Sequence, residues 1–147
     1  MKKEELLIKT IFNVLKKNSD IVSTTIVGSI NSMDLDKISD IDIIVIVKKI
    51  DFGIIDSIKN SLSNIDLSQL DINKQIFIND TFGPLKFDNK NNLVLHLMIY
   101  DYRLHLEHVE NSPFTCFDWE RSENFTGHSL SEISSVHKLM LNNFISS

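Results

Sequence analysis

The chain has 147 residues, the size of one ordinary domain and enough to bury a full core. Its hydrophobic content of 42% and charged content of 24% are those of a globular protein in water, and no apolar run reaches the roughly 18 residues of a membrane span. The formal net charge of −5 argues against broad nucleic-acid binding, which needs a basic face, yet it leaves room for a nucleotide whose phosphates are carried by a cation.

In chain order, Leu7, Ile11, Val14 and Leu15 recur at helical spacing and predict an amphipathic helix over 4–17, ended by Asn18-Ser19-Asp20. Lys9 and Asn13 break the apolar stretch, so this start is not expected to be a signal peptide. A short strand is predicted over 21–28, a turn or short helix over 30–38, and a second strand over about 40–48. Ile54, Ile58, Leu62 and Ile65 predict a second helix, and the polar segment 66–73 reads as a loop. Two short strands, 74–79 and 85–87, flank the turn dipeptide Gly83-Pro84. The polar run 88–92 then leads into a strand over 93–100. A helix over 102–110 is broken at Asn111-Ser112-Pro113. Ser129 and Glu132 form a capping-box pattern for a last helix, with Ile133, Val136, Met140 and Phe144 as its apolar face. The alternation predicts one α/β domain over 1–147, a central mixed sheet flanked by helices.

The motif that carries chemistry joins the first two strands. Thr24 to Val27 runs into Gly28-Ser29, and ten residues later Asp40-Ile41-Asp42 heads the apolar run 43–47. A strand alternates its side chains, so Asp40 and Asp42 share a face about 7 Å apart, from two residues at roughly 3.3 Å rise. Two carboxylates so placed beside a buried run repel each other and lose hydration, and a hard cation such as Mg²⁺ relieves both. The glycine allows close approach of a phosphate to the backbone, and the serine offers a hydroxyl and an amide.

Gly28-Ser29 followed by Ser39-Asp40-Ile41-Asp42-Ile43 resembles the signature of the nucleotidyltransferase superfamily with the DNA polymerase beta-like fold. The spacing is similar to that of its minimal and antibiotic nucleotidyltransferase domains. The motif covers residues 28–43, and the order of elements extends the likeness less specifically over about 5–101. The resemblance implies transfer of a nucleoside monophosphate from an NTP, most simply ATP, to a hydroxyl or phosphate of a small-molecule or protein acceptor. It implies that Gly28 and Ser29 hold the triphosphate, that Asp40 and Asp42 bind Mg²⁺, and that a third carboxylate on a neighbouring strand completes the site. This chain departs from the pattern in two places. Residues 30–33, Ile-Asn-Ser-Met, lack the arginine and glycine often found after the glycine-serine pair. In the strand 93–100, His96 stands where an acid is expected. The site is then incomplete, or it draws an acid from Asp71 or Asp101, or it uses His96, a poorer ligand for Mg²⁺ than for Mn²⁺. A nucleotide-binding or partner-binding module of the same fold without catalysis is the competing expectation.

Other candidates have plainer readings. Asp34 and Asp36 lack the glycine and glutamate of an EF-hand loop and read as solvated. His105 and His108, three apart with Glu107 between, read as a solvated helix face rather than a metal pair. Trp119 and its aromatic neighbours read as packing. Cys116, the single cysteine, excludes an intramolecular disulfide, has no evident activating context and fits a cytoplasmic protein.

Overall fold

A computed structural model describes residues 2–27, 40–80 and 91–134. Among these residues the order is α1 (Lys3–Lys16), β1 (Ile21–Val27), β2 (Asp40–Val47), α2 (Phe52–Ser63), a 3-10 turn (Leu67–Leu70), β3 (Gln75–Asn79), β4 (Asn92–Tyr100), α3 (Tyr102–Asn111), α4 (Pro113–Glu120), β5 (Phe125–Gly127) and α5 (Leu130–Ile133). The strands form one mixed sheet in the order β3-β4-β2-β1-β5. β3, β4 and β2 run parallel to one another, whereas β1 is antiparallel to both β2 and β5. The expected class, an α/β protein built on a mixed sheet, is what the chain forms. The second of the two short strands expected around Gly83-Pro84, and the distal apolar positions of the last helix, lie outside the described residues.

The central position of β2 follows from its sequence. Ile41, Ile43, Val45 and Val47 point to one side, Ile44 and Ile46 to the other, and all are buried. A strand apolar on both faces needs cover on both. On the first side α1 supplies Leu7, Ile11 and Leu15, and α2 supplies Ile58 and Leu62, against Ile26, Ile43, Leu95 and Leu97 of the sheet. Full burial of each such aliphatic side chain contributes roughly 1.5–3 kcal/mol, so this layer is the main source of stability. On the second side Ile44 and Ile46 pack with Val22, Met98, Tyr100, Trp119 and Leu130, which brings the C-terminal elements onto that face.

Caps set several boundaries. Asp51 accepts a hydrogen bond from the Ile54 amide at 2.8 Å and starts α2. Pro113 opens α4 at a position where a missing amide proton costs nothing. Ser129 and Glu132 form the expected capping box at α5. Gly127 closes β5 with φ of 77°, and a Cβ there would lie 2.3 Å from the carbonyl oxygen of Val22, so only glycine fits against β1. No helix among the described residues is long and apolar enough to cross a membrane.

The differences from the sequence expectation lie in the last third and in the segment 66–73. α4 and β5 were hidden because the segment 113–127 has no strong period, its aromatics being shared between packing and surface. The segment 66–73 contains a 3-10 turn, held by Asp66, whose side chain accepts from the Ser68 amide at 3.0 Å.

Candidate functional site

The register of the sheet builds a polar row. Asp42 on β2 lies opposite His96 on β4, and His96 lies opposite Asn79 on β3. On the other side of Asp42 stands Val27, the last residue of β1. Residues paired in register share a face, and alternation puts Asp40 on the same face. Four polar side chains from three strands therefore stand together where Ile44, Met98 and their neighbours begin the apolar half of that face.

The contacts within the row are specific. His96 Nε2 lies 3.6 Å from Asp40 Oδ2. Its other ring nitrogen, Nδ1, lies 3.0 Å from the side-chain nitrogen of Asn79. Asn79 is buried, His96 and Asp42 are half-buried, and Asp40 is exposed at the strand start. Burial pushes the Asp42 carboxyl above the ordinary carboxylate value, the nearby imidazole of His96 opposes that, and the charge of Asp40 adds to it. A carboxylate short of water beside a second carboxylate is an arrangement that a cation would relieve.

The pair supplies two hard oxygen donors on one face, a donor set that suits Mg²⁺ when phosphate oxygens and water complete the coordination. Among the described residues no group of three or more His, Cys, Asp and Glu could hold a metal ion. The expected residues Asp40, Asp42 and His96 are brought together; Gly28 and Ser29 follow β1 directly but lie outside the described residues.

The two alternative acids are occupied elsewhere. Asp101 Oδ1 accepts from the Leu104 amide at 2.8 Å and caps α3. It is five residues beyond His96 along the strand, about 16 Å at ~3.3 Å per residue. Asp71 ends the 3-10 turn in the left-handed region with φ of 58°, and its exposed carboxylate faces Lys3 Nζ at 3.6 Å. Of the residues named as a possible third group, His96 is the one beside the aspartates. Asn79 was missed in the sequence, because a lone asparagine at a strand end reads as a turn residue until the register is known.

A second cluster occupies the far end of the same face, and it corrects one expectation. His105 and His108 do not form a solvated helix face. His105 is 1% exposed, and its Nε2 lies 2.8 Å from Ser134 Oγ. His108 stacks on Tyr100 at 5.3 Å and lies 4.9 Å from Trp119 between ring centroids. Cys116 Sγ is 3.3 Å from His108 Nδ1. The cause is α3's position against the end of β4, which turns its histidine side inward along with Val109. Burial lowers the His105 pKa to about 4 and pushes the Cys116 thiol up to about 11. A thiol so raised is neutral and unreactive near pH 7, so the cluster has no nucleophile, and Trp119 serves packing, as expected.

No protein-family model, no curated protein and no solved structure matches this chain.

Proposed function

We propose that this chain is a nucleotidyltransferase-like protein that binds an NTP, with ATP the first candidate, together with Mg²⁺ at Asp40 and Asp42. It transfers the nucleoside monophosphate to a hydroxyl or phosphate of a small-molecule or protein acceptor. The observation that carries the reading is the carboxylate pair at the head of the central strand, with Asp42 partly desolvated and repelled by Asp40. Asp40 and Asp42 would hold the cation through their carboxylate oxygens. Bound there, Mg²⁺ would neutralise charge on the triphosphate and favour in-line attack at the α-phosphorus. Gly28 and Ser29 would seat the β- and γ-phosphates through backbone amides and the serine hydroxyl. His96, beside Asp40 on the neighbouring strand, would face the same ligand.

One observation favours a second reading, a binding module of the same kind without catalysis. The strand position next to Asp42 carries an imidazole where the resemblance expects a carboxylate. The described residues therefore offer two carboxylates rather than three. Calorimetric titration with ATP, with and without Mg²⁺, followed by pyrophosphate detection over a panel of hydroxyl and phosphate acceptors separates the two. Mg²⁺-dependent binding with pyrophosphate release supports the enzyme. Binding with no release across the panel supports the module. No binding of Mg²⁺ or nucleotide overturns both.

A further inference from the structure

We propose that Asn79 is a positioning residue that holds the neutral imidazole of His96 in one tautomer, with its proton on Nε2, so that the nitrogen facing Asp40 is a hydrogen-bond donor. The side-chain nitrogen of Asn79 carries two protons and no lone pair to offer, so it donates. It lies 3.0 Å from His96 Nδ1, which must then accept. A neutral imidazole has one N–H, and with Nδ1 accepting, that proton sits on Nε2. Nε2 lies 3.6 Å from Asp40 Oδ2, an acceptor. Both contacts therefore agree on one proton position.

The geometry around Asn79 explains why the arrangement holds. Asn79 is 7% exposed, at the last position of β3, directly opposite His96 in the parallel ladder. A polar amide withdrawn from water to that extent needs a partner. The imidazole cannot exchange its two nitrogens without presenting an N–H to an N–H, which loses the bond and leaves a buried donor opposed.

The chemical consequence differs from a simple replacement of a carboxylate by histidine. An Nε2 that carries a proton has no lone pair for a metal and cannot act as a base. It can donate instead to an anionic oxygen that comes within hydrogen-bond reach, that of Asp40, 3.6 Å away here, or that of a phosphoryl group brought alongside it. Asn79 thereby orients His96, and the proton on Nε2 is held towards Asp40, in a row that crosses three strands. The functional meaning of this row rests on the reading of Asp40 and Asp42 as a nucleotide and cation site, but the tautomer itself is a property of the protein without ligand.

The test is a long-range ¹H–¹⁵N correlation spectrum of the ¹⁵N-labelled protein at mildly alkaline pH, where imidazoles are neutral. The expected pattern for His96 is a protonated Nε2 and an unprotonated, hydrogen-bonded Nδ1. Asn79→Asp places an acceptor-only carboxylate at Nδ1, and its expected result is the reversed pattern, with the proton on Nδ1. Asn79→Leu removes the donor and is expected to give a mixture of both tautomers. A parent spectrum with the proton on Nδ1 overturns the proposal, as does a His96 pattern that is the same in the parent and both variants. Calorimetry with Mg²⁺ and ATP on the same samples keeps the two ideas apart. Protonated Nε2 without Mg-ATP binding removes the functional reading and leaves the tautomer; binding with a protonated Nδ1 does the reverse.

Discussion

Asp40, Asp42, Asn79 and His96 stand at one end of a sheet face, and Tyr100, His105, His108, Cys116 and Trp119 stand at the other. Both ends carry histidine with a titratable partner. At the far end α3, α4 and α5 cover the strands, and the polar contacts lie inside: His105 Nε2 with Ser134 and His108 with Cys116, while His105 Nδ1 is buried with no hydrogen-bond partner among the described residues. Burial there drives each group to its neutral form, the histidine down to about 4 and the thiol up to about 11. At the near end the aspartates keep contact with water, and the Asp42 carboxyl is raised, chiefly by burial. The same residue types thus serve packing in one place and present charge in the other. Depth separates them, because the cost of a charge rises steeply as water is removed.

The sharpest way to break this comparison is truncation. Trp119 packs against His108 and lies 6.4 Å from Tyr100 between ring centroids, and it belongs to two of the apolar clusters. Trp119→Ala should cost about 3–4 kcal/mol in urea unfolding. Asn79→Ala, which removes the hydrogen bond to His96 at the near end, should cost about 1 kcal/mol. Equal losses would mean that the near end is also held for stability.

The next effect is a pH dependence set by a group at the far end. The folded pKa of His105 lies near 4, below its ordinary value of 6.5. The unfolded chain then binds the extra proton first, so the contribution is intact above about 6.5 and is lost as pH falls towards 4. The loss amounts to up to about 3 kcal/mol, at 1.36 kcal/mol per pH unit. His105→Phe removes this group and should flatten the stability profile between pH 6.5 and 4, measured by urea unfolding at each pH. An unchanged slope would show that other groups govern acid sensitivity.

The smallest effect has the opposite sign. The Asp42 carboxyl is raised in the folded state, so its ionised form costs stability at neutral pH, and that cost vanishes once pH falls below the unfolded value. Asp42→Asn should therefore raise the melting temperature at pH 7 and lose that advantage on acidification. The gain should be smaller than the His105 effect, because Asp42 keeps part of its surface in water. A variant that melts lower than the parent at pH 7 would mean that the repulsion is already compensated.

Strong periods made the first two-thirds of the chain legible. α1, β1, β2, α2, β3 and β4 fall within a few residues of their expected bounds, because Leu7, Ile11, Ile43, Val45, Ile58 and Leu62 each repeat with the period of the element that buries them. The aspartate pair was legible for the same reason, since strand alternation alone puts Asp40 and Asp42 on one face. His96 was legible as a candidate, but its closeness to Asp40 depends on β4 lying parallel beside β2, which is a tertiary choice. Asn79 was not legible, since its meaning lies wholly in a cross-strand pairing. The inward turn of His105 and His108 was misread for a related reason. A helix with histidines, glutamates and an arginine reads as solvated, until the end of β4 supplies Tyr100 for the rings to stack on.

The central claim is that Asp40 and Asp42 together receive a nucleotide-bound cation. Titration calorimetry of Mg²⁺ with a non-hydrolysable ATP analogue into the parent, Asp40→Asn and Asp42→Asn tests it directly. Mg²⁺-dependent binding to the parent is expected, with at least about tenfold weaker binding to each folded variant, a loss of about 1.4 kcal/mol or more. Variants that bind the analogue as tightly as the parent would contradict it, and would leave the polar row as a surface feature of the sheet.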